Sequence, residues 1–311
     1  YELSFVTWLI ALGLTFKKSY SVSFVRYVSY FIFIFLLALV VGFFYQHHLY
    51  FVIRDITYLL KPILGLFIGY QFFSSQIKNP FKFLLLAGLA MALIHLSMVG
   101  YGILFQGAKS VAKIREYGGY FNDYEIYAFI ILLFHKKFEI GLTQKKFRIY
   151  FIVMALSTFF YLARTNFIQF VILFMAMKGW LILNKKSLAV LGSLILISVF
   201  SYTAIYMYNP KRNGDSVDEF LYKIKLIPLE AFATKINRND WKDFHDHYRS
   251  YENVRTIEQL SYNNSLLFGE GMGSQVDLKQ KVKLGDMDLR FISILHNGYM
   301  TVFLKTGIPG L

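Results

Sequence analysis

Apolar runs long enough to cross a lipid bilayer constrain this chain more than any other feature. A hydrocarbon core about 30 Å thick takes roughly 20 mostly apolar residues as helix, because backbone polar groups find no water there to bond. Nine stretches read as spans. They run from about Leu3 to Phe16, Tyr27 to Tyr45, Tyr50 to Phe73, Phe83 to Phe105, Tyr124 to Phe134, Tyr150 to Leu162, Phe167 to Leu183 and Leu188 to Tyr208, with a ninth from near Phe291 to the end. The expected fold is therefore all-α, a polytopic transmembrane bundle. Charged residues make up 17% of the chain, against about 25% in soluble domains, which also disfavours a water-soluble globule. Residues 1–208 would hold the first eight spans, residues 209–290 a hydrophilic loop subdomain containing helices, and residues 291–311 the start of the next span. The chain begins at Tyr1 and stops at Leu311 inside an apolar segment, so a piece of a longer protein is expected.

The net charge of +14 would suggest nucleic acid in a soluble protein. Its distribution argues otherwise. The 209–290 stretch holds thirteen basic and thirteen acidic residues, which cancel, so the excess lies elsewhere. Alternate short loops carry Lys17, Lys18 and Arg26, then Lys78 and Lys82, then Lys136, Lys137, Lys145, Lys146 and Arg148, then Lys185 and Lys186. Basic residues concentrate in cytoplasmic loops, so these loops read as cytoplasmic and the 209–290 stretch as extracytoplasmic. Chemistry built on the outer side would not draw on ATP or nucleotide sugars. With no cysteine in the chain, disulfides, thiolate zinc sites and cysteine nucleophiles are excluded.

That topology gathers scattered cations on one side. Arg54, Arg115 and Arg164 fall at outward helix ends. Each taken singly suits a side chain snorkelling to lipid headgroups, whereas together their planar forks suit a phosphate or carboxylate. His95 and Lys61 lie deeper and read as partners in interhelical hydrogen bonds. From Asn239 to about Leu260 an apolar stripe of Trp241, Phe244, Tyr248 and Tyr251 predicts a helix, with His245, Arg249, Glu252 and Thr256 on the neighbouring face. The glycines of Leu266-Leu-Phe-Gly-Glu-Gly-Met-Gly-Ser lack Walker or Rossmann spacing and read as a turn, able at most to present N–H groups to an anion.

The sharpest pattern closes the chain: His296-Asn297, nine residues, then Gly307-Ile308-Pro309-Gly310. His-Asn-x9-Gly-x-x-Gly after a long outer loop resembles the signature of the bacterial O-antigen ligase and O-antigen polymerase superfamily. Ala163-Arg164-Thr165 resembles the family's Ser-Arg turn, with Ala in place of Ser, and Arg115-Glu-Tyr-Gly-Gly-Tyr its earlier arginine and glycine stretch. Arg249-Ser-Tyr-Glu followed by Phe268-Gly-Glu-Gly-Met-Gly is similar to the segment ahead of the histidine, so the likeness covers about Arg115 to Leu311.

The resemblance implies a GT-C-like membrane glycosyltransferase in the bacterial inner membrane. Such enzymes pass a glycan from undecaprenyl pyrophosphate to a sugar hydroxyl, on lipid A-core or on another lipid-linked repeat, without metal or nucleotide. It implies catalytic roles for His296, Arg249 and Arg164. Contacts to the diphosphate or glycan would come from Arg115, Arg54, Asn297, Tyr299, Glu252, Arg255 and Gly271, with Glu252 and Asp288 as reserve bases. A flippase or chain-length regulator is the implied partner. The rival class is a polytopic transporter or lipid-linked-glycan flippase without transferase activity, which would place charges near the bilayer midplane.

Overall fold

The computed structural model describes residues 2–17, 19–74, 77–109, 111–118, 124–161, 164–182, 184–211, 216–230, 244, 247–284 and 287–311. It is mostly helical and divides into two compact units, residues 1–74 with 202–311, and residues 75–201.

In the first unit, α1 (Glu2–Thr15), α2 (Val22–Tyr45) and α3 (Leu49–Phe73) form an apolar helical group. Ser21 caps α2 by accepting from the Phe24 N–H, and His48 caps α3 through the Tyr50 N–H. The same unit holds α10 (Ser216–Glu230), α11 (Tyr248–Tyr262), the strands β1 (Val276–Leu284) and β2 (Met287–Ile292), and α12 (Gly298–Thr306), followed by a 3-10 turn at Ile308–Gly310. In the second, α4 (Pro80–Phe105), α5 (Val111–Gly118), α6 (Tyr124–Leu133), α7 (Gln144–Phe160) and α8 (Arg164–Met177) precede α9 (Lys185–Tyr208), whose last turns pass into the first unit.

Three helices among the described residues are long and apolar enough to cross a membrane: Val22–Tyr45, Pro80–Phe105 and Ser187–Tyr208. None of the apolar window of the last is buried in protein, so that surface calls for lipid rather than water. The other expected spans differ in instructive ways. α3 has the length, but Arg54, Asp55 and Lys61 interrupt its apolar surface. The expected fifth span is α6, only 10 residues long and buried from Glu125 to Leu132 except at Tyr127. An apolar segment of that length belongs to a core helix, and α6 is the centre of the second unit. Gly88 of α4 lets α6 approach so closely that a Cβ there would lie 2.1 Å from the Ala128 Cβ. His95 is buried with Nδ1 2.9 Å from the Ser157 hydroxyl and its ring stacked on Tyr161, whose own hydroxyl donates to Glu125 at 2.8 Å. This polar chain places His95 in the interhelical role expected of it.

The mostly helical chain is compatible with the expected all-α membrane protein, but the first unit also contains a two-stranded sheet. Val276–Leu284 and Met287–Ile292 pair as an antiparallel hairpin, with Val276 opposite Ile292, Leu284 opposite Met287 and a register shift between Asp277 and Val282. Val276, Leu278 and Val282 point into one core with Phe244, Tyr248, Tyr251, Leu260, Ile292, Leu295 and Leu304. Their alternation with Asp277 and Lys279 is the period-two signal of a half-buried strand. The ninth span is corrected for the same reason: residues 287–292 are strand, and α12 has nine residues, about 13 Å of helix at the usual rise, too short to cross a bilayer. By contact, the first three helices group with residues 202–311 and not with residues 75–201.

Candidate functional site

The hairpin core decides what the loop between β2 and α12 can do. α11 buries Tyr248, Tyr251, Glu252, Thr256 and Leu260 against the hairpin and leaves Arg249 exposed. Of the helix expected from Asn239, Tyr248–Tyr262 is described as α11 and Phe244 is also helical, while 239–243 and 245–246 lie outside the described residues. Three bonds hold the loop that carries the His-Asn pair. Arg54 Nη2 donates to the Ser293 hydroxyl, the Leu295 N–H donates 2.9 Å to Thr301 Oγ1, and the His296 N–H donates 2.9 Å to Glu252 Oε2. Asn297 then caps α12, its side chain accepting from the Tyr299 N–H.

The imidazole of His296 is anchored on one side and open on the other. Nδ1 lies 2.9 Å from Glu252 Oε1, and the ring meets Tyr248 edge to face with centroids 5.5 Å apart. Glu252 is 1% exposed whereas the His296 side chain is 47% exposed. The hydrogen bond that His296 donates to Glu252 raises the His296 pKa above its ordinary value, outweighing desolvation, while the Arg249 guanidinium opposes it. Burial, and secondarily the Glu252 charge, keep the Tyr248 phenol protonated.

His296 opens on a cavity of about 1000 Å³ within the first unit. Arg249, Asn253, His296 and Asn297 supply polar wall from α11 and the loop, and Tyr58 and Lys61 supply it from α3. Phe31, Ile34, Leu59, Pro62 and Val302 supply the apolar wall. Sequence reasoning passed over Lys61, Tyr58 and Asn253 as site residues. The available signal was helical spacing: Tyr58 and Lys61 are three apart on α3, and Asn253 is four from Arg249 on α11.

The remaining expected residues divide among other duties. Tyr299 and Asn297 line the cavity. Arg54 bonds Ser293 beneath the loop and stacks over Phe51 at 5.0 Å. Arg255 turns to the hairpin, donating to the Asp277 carbonyl at 3.3 Å and pairing with Glu258. Asp288 sits on β2 opposite Lys283. Arg115, exposed in the last turn of α5, and Arg164, the first residue of α8, belong to the second unit.

Gly271 belongs to a turn whose donors are spent internally. The N–H groups of Gly269, Glu270, Gly271 and Met272 donate to the carbonyls of Ser265, Leu304, Lys305 and Ala38, and that of Gly273 donates to Asp55 Oδ2. The turn is therefore a structural joint rather than an anion cradle. Gly269, Gly271 and Gly273 all have positive φ, which only glycine adopts without strain. A Cβ on Gly271 would lie 2.0 Å from the Gly42 nitrogen, and one on Gly307 2.2 Å from the Leu267 carbonyl oxygen. The two glycine motifs thus meet in space and set α12 against α2. Among the described residues no group of three His, Asp or Glu side chains is placed to hold a metal ion.

Compared with models of known families, curated proteins and solved structures, the chain matches none.

Proposed function

We propose that the protein is a membrane glycosyltransferase that moves a glycan from a polyprenyl-diphosphate carrier to a sugar hydroxyl, as a polymerase or ligase of surface polysaccharide. The observation that carries this reading is the juxtaposition of His296, held by Glu252, with Arg249 and Lys61 around one large cavity of mixed lining. Apolar Phe31, Ile34, Leu59, Pro62 and Val302 suit an isoprenoid chain, and the cations suit the diphosphate it carries.

The chemistry follows from those groups. The acceptor hydroxyl attacks the anomeric carbon, the bond from that carbon to the diphosphate oxygen breaks, and its electron pair leaves with the diphosphate. The hydroxyl proton passes to His296 Nε2, since Nδ1 faces Glu252. Arg249 and Lys61 neutralise charge as it develops on the leaving diphosphate, fixed cations doing there what a bound ion does elsewhere. The resemblance of His296-Asn-x9-Gly-x-x-Gly to the O-antigen ligase and polymerase superfamily supports the same reaction class and a bacterial inner membrane location with the 209–290 stretch outside.

Purified protein incubated with undecaprenyl-diphosphate oligosaccharide and either a second such molecule or lipid A-core tests the proposal. Lengthened glycan on the carrier identifies a polymerase, and glycosylated lipid A-core a ligase. Absence of both products, with carrier instead moved across vesicle membranes, overturns it in favour of a flippase.

A further inference from the structure

We infer that Glu252 is a positioning residue that holds His296 in one tautomer, with Nε2 as the proton-accepting atom facing the cavity. This rests on the transferase reading for the identity of the substrate, but the pairing itself stands on geometry.

The two oxygens of the Glu252 carboxylate have separate tasks. Oε2 accepts from the His296 backbone N–H at 2.9 Å, and Oε1 lies 2.9 Å from Nδ1. An ionised carboxylate can only accept, so the ring proton sits on Nδ1 and Nε2 carries the lone pair. The backbone bond fixes where the ring begins and the side-chain bond fixes its rotation. Tyr248, 5% exposed and edge-on to the imidazole, closes one side of the ring. Glu252 is itself immobilised: it sits mid-helix in α11, whose neighbouring residues Tyr251, Thr256 and Leu260 are buried. At 1% exposure it is screened from the cavity by the histidine it holds, which removes it from service as the base itself.

Among the described residues, the charged and titratable groups around the imidazole are Glu252, Arg249 and Tyr248 from α11, Tyr58 and Lys61 across the cavity from α3, and Tyr299 from α12. Glu252 is the one anion in that set. Its charge favours the imidazolium formed when His296 takes a proton, offsetting Arg249, which disfavours it.

Glu252→Gln and Glu252→Asp separate positioning from packing. Glutamine keeps the volume but has one acceptor oxygen for two donors, so an NH2 group must face either Nδ1–H or the backbone N–H. Glycan transfer by Glu252→Gln should fall about 100-fold in kcat, the usual scale of a misplaced general base. KM for the lipid-linked donor should change little. The acidic limb of the pH–rate profile should move to lower pH, because the imidazolium loses its anion, and Glu252→Asp should restore part of the rate. Nitrogen-15 spectra of histidine-labelled protein give a second readout independent of turnover: one His296 tautomer in wild type, a tautomer mixture with a lower pKa in Glu252→Gln. An unshifted limb with wild-type kcat, or an unchanged His296 tautomer and titration, overturns the inference. If wild-type protein transfers no glycan, the transferase reading fails, and the spectra still decide the dyad.

Discussion

Lys305 on α12 and Asp55 on α3 form an ion pair, Nζ to Oδ2 2.6 Å, with both side chains only 2% exposed. Lys305 also donates to the Ser274 carbonyl at 2.5 Å, and Asp55 Oδ2 also accepts from the Gly273 N–H at 2.7 Å. One buried pair therefore joins an apolar helix, the glycine turn and the helix that opens just after the His-Asn pair. Removing one partner of such a pair strands the other charge, which costs about 3–5 kcal/mol, whereas removing both costs less. Lys305→Met and Asp55→Asn should each lower the thermal midpoint in detergent sharply, and the double variant should lose less than the sum. Strict additivity in that cycle would show that the pair is not coupled.

Gly271→Ala should destabilise through sterics alone. Its Cβ would lie 2.0 Å from the Gly42 nitrogen, and φ is +73°. Overpacking of this kind costs about 1–3 kcal/mol, with a further 1–2 for the left-handed backbone. Gly298→Ala is the control, since a Cβ there meets nothing within 4 Å. Comparable melting temperatures for the two variants would contradict the close approach of α2 and the turn.

In the cavity, His296→Ala and Arg249→Ala should abolish glycan transfer while the protein still reaches the membrane. Lys61→Met should raise KM for the lipid-linked donor about tenfold, the loss expected for one charge-assisted contact of roughly 1.4 kcal/mol. Polymer ladders or ligated product indistinguishable from wild type in the His296 variant would remove that residue from the chemistry.

On the hairpin, Arg290 grips Asp277 through two bonds, Nε to Oδ1 at 2.9 Å and Nη2 to Oδ2 at 3.0 Å. That pairing, helped by Lys279, holds the Asp277 carboxyl well below the usual carboxylate range. A carboxyl lowered in the folded state stabilises above its unfolded pKa, near 4, and loses that contribution as pH falls further. Unfolding followed between pH 6 and pH 3 should show an acid-labile component that Asp277→Asn removes. The effect should be small and weaken in salt, because Arg290 is half exposed.

Membrane orientation has its own test in a chain with no cysteine. Single cysteines at Lys146 and Lys185 should be shielded from impermeant thiol reagents added outside intact cells and react once the cytoplasmic face is opened. Labelling of either from outside would reverse the topology drawn from the basic loops.

Period and composition along the chain pointed to the apolar helices read at 27–45, 83–105 and 188–208, which the structure gives as 22–45, 80–105 and 187–208, to the helix that carries Arg249 and Glu252, and to the candidacy of His296. These are local properties: a long apolar run, a 3.6-residue stripe or a motif is complete within one segment. The tertiary structure decided what depends on residues far apart. It turned Tyr124–Leu133 into a buried core helix rather than a span, because Gly88 admits it against α4. It paired residues 276–284 with 287–292, where short alternation competes with a helical reading until a partner core is present. It also assigned Glu252 to His296 across 44 residues and Asp55 to Lys305 across 250, and placed Lys61 on the cavity wall. The strength of a charge pair is set by distance and burial, and neither is a property of a single stretch of sequence.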